Sequence, residues 1–247
     1  MREETIVGWH AVLAVLKQAP ERVLSIQIDR ARKGPRRAQL LEAARAAGIA
    51  VEETSGDALD RLTGEAPHQG VVARCRAAAE RTEGELPAYL ASLAGPPLLL
   101  VLDGIQDPHN LGACLRSADA AGARAVILPR DNAAPLTPVV RKVASGAAES
   151  LAIFRVANLA RVLDVLKDAG IWLVGTAGDA GQELYDVDLT APTALVLGAE
   201  GTGLRRLTSE KCDRLVRIPM AGTVESLNVS VAAGVCLFEA ARQRRQR

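Results

Sequence analysis

Three stretches of this 247-residue chain gather residue types that can do chemistry. The first, Asp103-Gly104-Ile105-Gln106-Asp107-Pro108-His109-Asn110-Leu111-Gly112, leaves an apolar run and opens a helical pattern on which Arg116 lies about one and a half turns in. Asn110 reads equally well as a helix N-cap. Arg116 is harder to explain as structure, because a cation in the N-terminal part of a helix opposes the macrodipole and calls for an anionic partner. The second stretch, Gly198-Ala199-Glu200-Gly201-Thr202-Gly203, has three glycines in six positions, which permits close approach of backbone to a ligand. Its order, followed by Leu204, fits neither a dinucleotide fingerprint nor a phosphate-binding loop, and alone it is a glycine-rich turn. The third, Ile218-Pro219-Met220-Ala221-Gly222-Thr223-Val224-Glu225-Ser226-Leu227-Asn228, leads into the last helix. Ser226 alone reads as an N-cap. Asn228 is expected inside the first turn, where Asn is a poor helix former. The three loops hold no metal-ligand cluster and no Ser-His-Asp arrangement, which leaves hydrogen bonding, orientation and charge as their chemistry.

The elements that must position these loops alternate in type. Up to residue 76, helical spacing at Gly8 to Lys17 and Arg36 to Ala47 alternates with strand patterns at Val23 to Ile28, Ile49 to Glu52 and Val71 to Cys75, a small α/β domain. Residues 77–96 break the periodicity and read as a linker that can be partly helical. From 97 to 247, the runs Leu98 to Leu102, Ala125 to Leu128, Leu151 to Phe154, Ile171 to Val174 and Ala194 to Leu197 are continuously apolar, as strands covered on both faces are. Helical patterns lie between them at Leu111 to Ala121 and Leu159 to Ala169. A mostly parallel sheet with helices on both faces is expected, with its ligand outside the carboxyl ends of the strands. The last helix, from about Leu227 to Arg242, has Leu227, Val231, Val235 and Phe238 on one side and Val229, Ala232, Cys236 and Ala240 elsewhere. That pattern fits burial against a second subunit or wholly within one chain.

Composition narrows the class of protein. Thirty basic and 29 acidic residues leave +1, spread as +2, −2 and +1 over the three segments, so neither domain is broadly basic. Only six residues are aromatic, Trp9, Tyr89, Phe154, Trp172, Tyr185 and Phe238, too few for a platform that stacks bases on exposed rings. No apolar run approaches the roughly 20 residues of a membrane span, and the N-terminus lacks the apolar core of a signal peptide, so the cytoplasm is the expected compartment. Cys75, Cys114, Cys212 and Cys236 show no paired spacing and read as buried thiols. Arg30, Arg32, Lys33, Arg36 and Arg37 put five cations within eight residues, a candidate phosphate-binding loop or a solvated basic one. Arg242, Arg244, Arg245 and Arg247 read as a frayed soluble tail.

Taken together, Asn110-x-Gly112-x-x-x-Arg116, Leu197-Gly198-x-Glu200-Gly201-x-Gly203-Leu204, and Ile218-Pro219-Met220 with Ser226-Leu227-Asn228-Val229-Ser230 resemble the three motifs of the SpoU-type branch of the SPOUT RNA methyltransferases. Val7-Gly8-x-His10-Ala11-Val12, His68-Gln69-Gly70-Val71-Val72-Ala73 and Asp107 to Ala118 further resemble the subgroup that methylates a ribose 2′-hydroxyl of guanosine in large-subunit ribosomal RNA, the RlmB-like enzymes.

The resemblance implies an L30e-like RNA-binding domain at 1–76, a linker at 77–96, and a SPOUT α/β catalytic domain at 97–247 with a mostly parallel sheet and a deep trefoil knot. It implies S-adenosylmethionine as cofactor, held by Thr176, Leu197, Gly198, Gly201, Ile218, Met220 and Leu227, and a homodimer that completes the site. By the same resemblance Arg116 activates the hydroxyl, as an unusual base or as a cation stabilising the alkoxide, while Asn110, Glu200, Ser226 and Asn228 orient it, the ribose and the cofactor; no metal is needed. Arg30, Arg32, Lys33, Arg36 and Arg37 are the candidate RNA contacts. Two alternatives stay open: a tRNA ribose methyltransferase of the same family, and a non-catalytic RNA-binding or assembly factor that kept the fold.

Overall fold

A computed structural model describes residues 3–64, 67–77 and 80–246. The chain runs through β1 (Glu3–Val7), α1 (Trp9–Gln18), β2 (Val23–Asp29), α2 (Pro35–Ala46), β3 (Val51–Thr54), α3 (Gly56–Thr63) and β4 (Val71–Arg76). There follow β5 (Arg81–Thr82), α4 (Leu86–Ala91), β6 (Leu98–Asp103), α5 (Pro108–Ala120), β7 (Ala125–Pro129), α6 (Pro138–Ala144), α7 (Ala147–Ser150) and β8 (Ala152–Val156). The remainder is α8 (Leu159–Asp168), β9 (Trp172–Thr176), β10 (Gln182–Glu183), β11 (Thr193–Gly198), α9 (Arg206–Lys211), β12 (Arg214–Arg217) and α10 (Val229–Arg245). No helix among the described residues is long and apolar enough to cross a membrane.

The chain forms two compact units, one of residues 1–79 with 136–150, the other of 80–135 with 151–247. Unit 1 is built on a four-stranded sheet in the order β1-β4-β2-β3, antiparallel except for β2 with β3. Its core packs Ile6, Val12, Val15, Ile26, Ile28, Leu40 and Val71. The sequence pattern assigns 136–150 to the second segment, but a nearly enclosed ionic cluster ties the stretch into unit 1. Glu149 of α7, its side chain 2% exposed, pairs with Arg22 at 2.9 Å and with Arg141 of α6, and both arginines also pair with Glu4 of β1. The charges cancel two against two, which is what makes such burial tolerable, and removing one partner would strand another charge.

Unit 2 carries an eight-stranded sheet, β10-β12-β9-β11-β6-β7-β8-β5, in which every pairing is parallel. The apolar runs are strands covered on both faces: all residues of β6, β7 and β11 are buried. α8 lays Leu159, Val162, Leu163 and Leu166 on the sheet, its N-terminus capped by Asn158, whose side chain accepts from Arg161 N. From β6 the chain adds β7 and β8 on one side, then returns to place β9 and β11 on the other. The strand order therefore reverses between β6 and β11, where a parallel sheet opens a crevice at its carboxyl edge.

Two expectations are corrected here. From residue 80 onward the supposed linker is part of unit 2; residues 78 and 79 lie outside the described set. Thr82 and Glu85 form a capping box, Leu86 is fully buried, the Tyr89 hydroxyl donates to Arg124 O at 2.5 Å, and Arg81 lies 5.1 Å over the Tyr89 ring. These are local polar and cation–π devices, invisible to a search for hydrophobic period. Nor is the C-terminal arginine cluster a frayed tail: α10 continues to Arg245, and Arg244 donates to the carbonyls of Leu189, Pro96, Pro97 and Ala191. Arg247 lies outside the described residues.

Candidate functional site

The carboxyl ends of β6, β11, β9 and β12 lie side by side, with Asp103 opposite Gly198 and Thr176 opposite Val216. All three chemically unusual loops leave from this edge. Asp107, rather than Asn110, caps α5, accepting from His109 N at 2.9 Å with Pro108 in the first turn. Asn110 is thereby turned into the fold, 9% exposed.

The loops meet at one carboxylate. Glu200 accepts from Asn110 Nδ2 at 3.3 Å and from Asn228 Nδ2 at 2.5 Å, and from Val229 N at 3.3 Å; Asn228 Nδ2 also reaches Asn110 Oδ1 at 3.0 Å. Asn228 is the N-cap of α10 and not a first-turn residue: its side chain accepts from Ser230 N and the Ser230 hydroxyl, so the cap geometry places an Asn without helical cost. The Glu200 carboxylate thus sits at the N-terminus of α10, where the helix dipole favours an anion.

Gly198 makes the second loop possible. A Cβ there would lie 2.0 Å from the Gly203 carbonyl carbon and 2.3 Å from Leu204 N, because the chain folds straight back through paired hydrogen bonds between Ala199 and Gly203 at 3.1 and 2.9 Å. Around this turn Leu197 is buried, while Thr176, Ile218, Met220 and Leu227 are half-buried and Gly201 is exposed. Thr176, Leu197 and Ile218 thus stand at or just past the carboxyl ends of three neighbouring strands, β9, β11 and β12.

Two expected members stand apart. Ser226 is exposed, and among the described residues its side chain makes no hydrogen bond; α10 begins three residues further on. Arg116 points to solvent from α5, with no acidic partner among the described residues, so Asn110, Glu200 and Asn228 do not hold it within this chain. Of the five clustered cations, Arg37 is paired with Glu53 and with Arg32 O, whereas Arg30, Arg32, Lys33 and Arg36 are exposed.

Sequence reasoning missed Asp103 and Arg205. The Asp103 side chain is fully buried at the end of β6; its Oδ2 accepts from Arg205 N at 3.1 Å, and its Oδ1 lies 2.7 Å from Arg205 Nε as an ion pair without an aligned hydrogen bond. The pair clamps the far end of the Glu200 loop to the strand beside it. An acid closing an otherwise apolar run was the available signal. Asp103→Asn is expected to lower unfolding free energy by about 1–3 kcal/mol, the cost of weakening a buried charged interaction rather than the 0–1 kcal/mol of an exposed pair. Urea denaturation measures it, and a change under about 0.5 kcal/mol would count against the clamp.

Burial pushes the thiols of Cys75, Cys114, Cys212 and Cys236 up to about 12, so none is a nucleophile at neutral pH. No group of three or more metal-ligating side chains occurs among the described residues. On α10, Ala233, Cys236, Leu237 and Ala240 are buried, but Val231 is 51% and Phe238 48% exposed, so the helix is not wholly covered within the chain.

Comparison with known proteins agrees over the whole length. Residues 97–238 match the family model described as SpoU rRNA methylase, and residues 5–81 the model for RNA 2′-O ribose methyltransferase substrate binding. The 23S rRNA (guanosine-2′-O-)-methyltransferases RlmB of Shewanella oneidensis and Yersinia pestis are 52% and 54% identical, over 99% and 98% of this chain and the same shares of theirs. That of Escherichia coli K12 is 52% identical over 98% of this chain and 99% of its own. Among solved structures, the SpoU methyltransferase AviRb of Streptomyces viridochromogenes in complex with AdoMet matches with a TM-score of 0.80 at 28% identity, covering 99% of this chain and 92% of that one.

Proposed function

Since the chain belongs to the SpoU rRNA methylase family, we propose that it transfers a methyl group from S-adenosylmethionine to the ribose 2′-oxygen of a guanosine in 23S ribosomal RNA. The observation that carries this reading is the junction of three loops at Glu200 on the carboxyl edge of a parallel sheet, in a chain 50–54% identical to RlmB proteins along its whole length.

The residues at that edge fit the cofactor. Backbone at Gly198, Ile218 and Leu227 would hold its adenosyl part, with Thr176, Leu197, Gly201 and Met220 around it. When bound, S-adenosylmethionine supplies an electrophilic sulfonium methyl. The work left to the chain is to align a weakly nucleophilic hydroxyl and to favour loss of its proton. Asn110 and Asn228, fixed by Glu200, present amide groups that orient the ribose. Arg116, exposed and with no acidic partner among the described residues, binds the neighbouring phosphate and stabilises developing alkoxide. A guanidinium keeps its protons in proteins, so the cationic role is favoured over that of a base. Ser226, two residues before the Asn228 cap, is assigned with the two asparagines to orienting the ribose and the cofactor. The uncovered side of α10, with Val231 and Phe238, supports a homodimer. Activity without a resident metal, in the cytoplasm, belongs to the same reading.

Unit 1 binds the RNA in this proposal. Changing Arg30, Arg32, Lys33 and Arg36 together to Gln is expected to weaken RNA binding and to flatten its salt dependence by about one unit of slope for each phosphate no longer neutralised, with cofactor affinity unchanged. Equal RNA affinity of the variant and the parent at two salt concentrations would refute the assignment. The reading as a whole is tested by mapping 2′-O-methyl groups in ribosomal RNA with and without the gene. Loss of one guanosine methyl supports it; loss of a tRNA methyl instead, or no loss together with no cofactor binding, favours the tRNA enzyme or the non-catalytic factor.

A further inference from the structure

In unit 1 the sequence His68-Gln69-Gly70 forms a turn between α3 and β4 that is built more rigidly than a surface connection requires. Gln69 adopts φ 55°, a left-handed conformation that glycine or asparagine would take more readily. It is held there from several directions. The indole N–H of the buried Trp9 donates to Gln69 O at 2.9 Å, and Gly70 N donates to His68 Nδ1 at 2.9 Å. Val71 N donates to His68 O at 3.1 Å, Asp29 N to Gly70 O at 2.9 Å, and His68 Nε2 lies 2.9 Å from Asp60. What this framework presents is one side chain, the Gln69 amide. Among the described residues that amide makes no hydrogen bond, and it lies over Gly8, where a Cβ would be 3.5 Å from its Oε1.

Beside it runs a cation. A Cβ at Gly70 would stand 2.5 Å from Arg32 Cγ, so the Arg32 stem lies against the glycine backbone while its guanidinium reaches solvent, 3.9 Å from Asp29. Lys33, Arg30 and Arg36 are exposed on the same loop and the helix that follows it. A strained, over-determined turn that offers an unpartnered amide next to exposed cations has the parts needed to hold an unpaired nucleotide. An amide both donates and accepts, which matches a base edge, and guanidinium and ammonium groups take the phosphates on either side.

We propose that Gln69 is an RNA-reading residue of unit 1, its amide hydrogen-bonding the edge of an unpaired base while Arg32 holds an adjacent phosphate. This rests on the rRNA methyltransferase reading and deepens it by naming where the substrate is read away from the methyl-transfer site.

The test uses the full chain, a fluorescent large-subunit rRNA fragment containing the methylated guanosine, and a fully paired RNA of equal length. Gln69→Gly removes the amide and relieves the left-handed strain, so the fold is retained. Expected for Gln69→Gly are a roughly 5- to 10-fold weaker affinity for the fragment, little change for the paired RNA, an unchanged or higher Tm and unchanged S-adenosylmethionine affinity. Gln69→Asn, which keeps an amide, should recover part of the loss. Arg32→Ala should weaken both RNAs and reduce the salt slope by about one. Parental affinity in Gln69→Gly, or a loss that comes with a lowered Tm, overturns the proposal while leaving the enzymatic reading intact. If the parent chain neither binds nor methylates the fragment, the enzymatic reading fails and takes this one with it.

Discussion

Alanine in place of Gly198 is expected to reduce S-adenosylmethionine affinity by roughly 100-fold or more and to destabilise unit 2, because overpacking against backbone costs about 1–3 kcal/mol or more. The added carbon would fall 2.0 Å from the Gly203 carbonyl carbon and 2.1 Å from its oxygen, inside backbone that has no rotamer to change. Either the Ala199–Gly203 pairing opens or β11 slides from its register, in which Gly198 stands opposite Asp103. Both responses move Glu200 from Asn110 and Asn228. Gly178→Ala is the control, since a Cβ there meets nothing within 4 Å. Isothermal calorimetry and thermal unfolding on both variants decide the matter. Parental cofactor affinity in Gly198→Ala would show that the turn does not shape the pocket.

Arg116→Ala should lower kcat by about 10²- to 10³-fold, the scale seen when a group that stabilises developing charge is removed. The same substitution should leave stability within about 0.5 kcal/mol, because an exposed side chain without partners among the described residues contributes little to the fold. Lost turnover with an unchanged Tm and unchanged cofactor affinity therefore isolates the chemical step. Arg116→Lys keeps the charge but not the planar fork, and is expected to recover little. Near-parental turnover of the alanine variant would remove Arg116 from the reaction, whereas near-parental turnover of the lysine variant would show that the charge suffices without the planar fork.

How far the sequence could be read depended on which force shaped each element. Strands buried on both faces, such as Leu98 to Leu102 and Ala194 to Leu197, announce themselves as apolar runs, and so the parallel sheet and its chemically loaded edge were legible. Elements held by specific polar interactions were not. The capping box at Thr82 and Glu85, the arginine network at the end of α10, and the ionic cluster of Glu4, Arg22, Arg141 and Glu149 have no hydrophobic period. β1 was missed for a similar reason: Glu3 and Glu4 open a strand of only five residues. At the candidate site, residue types were legible but partnerships were not. Nothing in the order of residues says that Asp107 rather than Asn110 caps α5, that Asn228 rather than Ser226 caps α10, or that Asp103 reaches Arg205 across 102 positions.

The discontinuity of unit 1 has a consequence for how the protein is made. Glu4 and Arg22 leave the ribosome early, whereas Arg141 and Glu149 follow only after β6, α5 and β7. At ~5–20 residues per second the wait is on the order of ten seconds. During that time the nascent segment lacks two of the four charges that close unit 1, which cannot be completed until residues 80–135 of unit 2 have already been made.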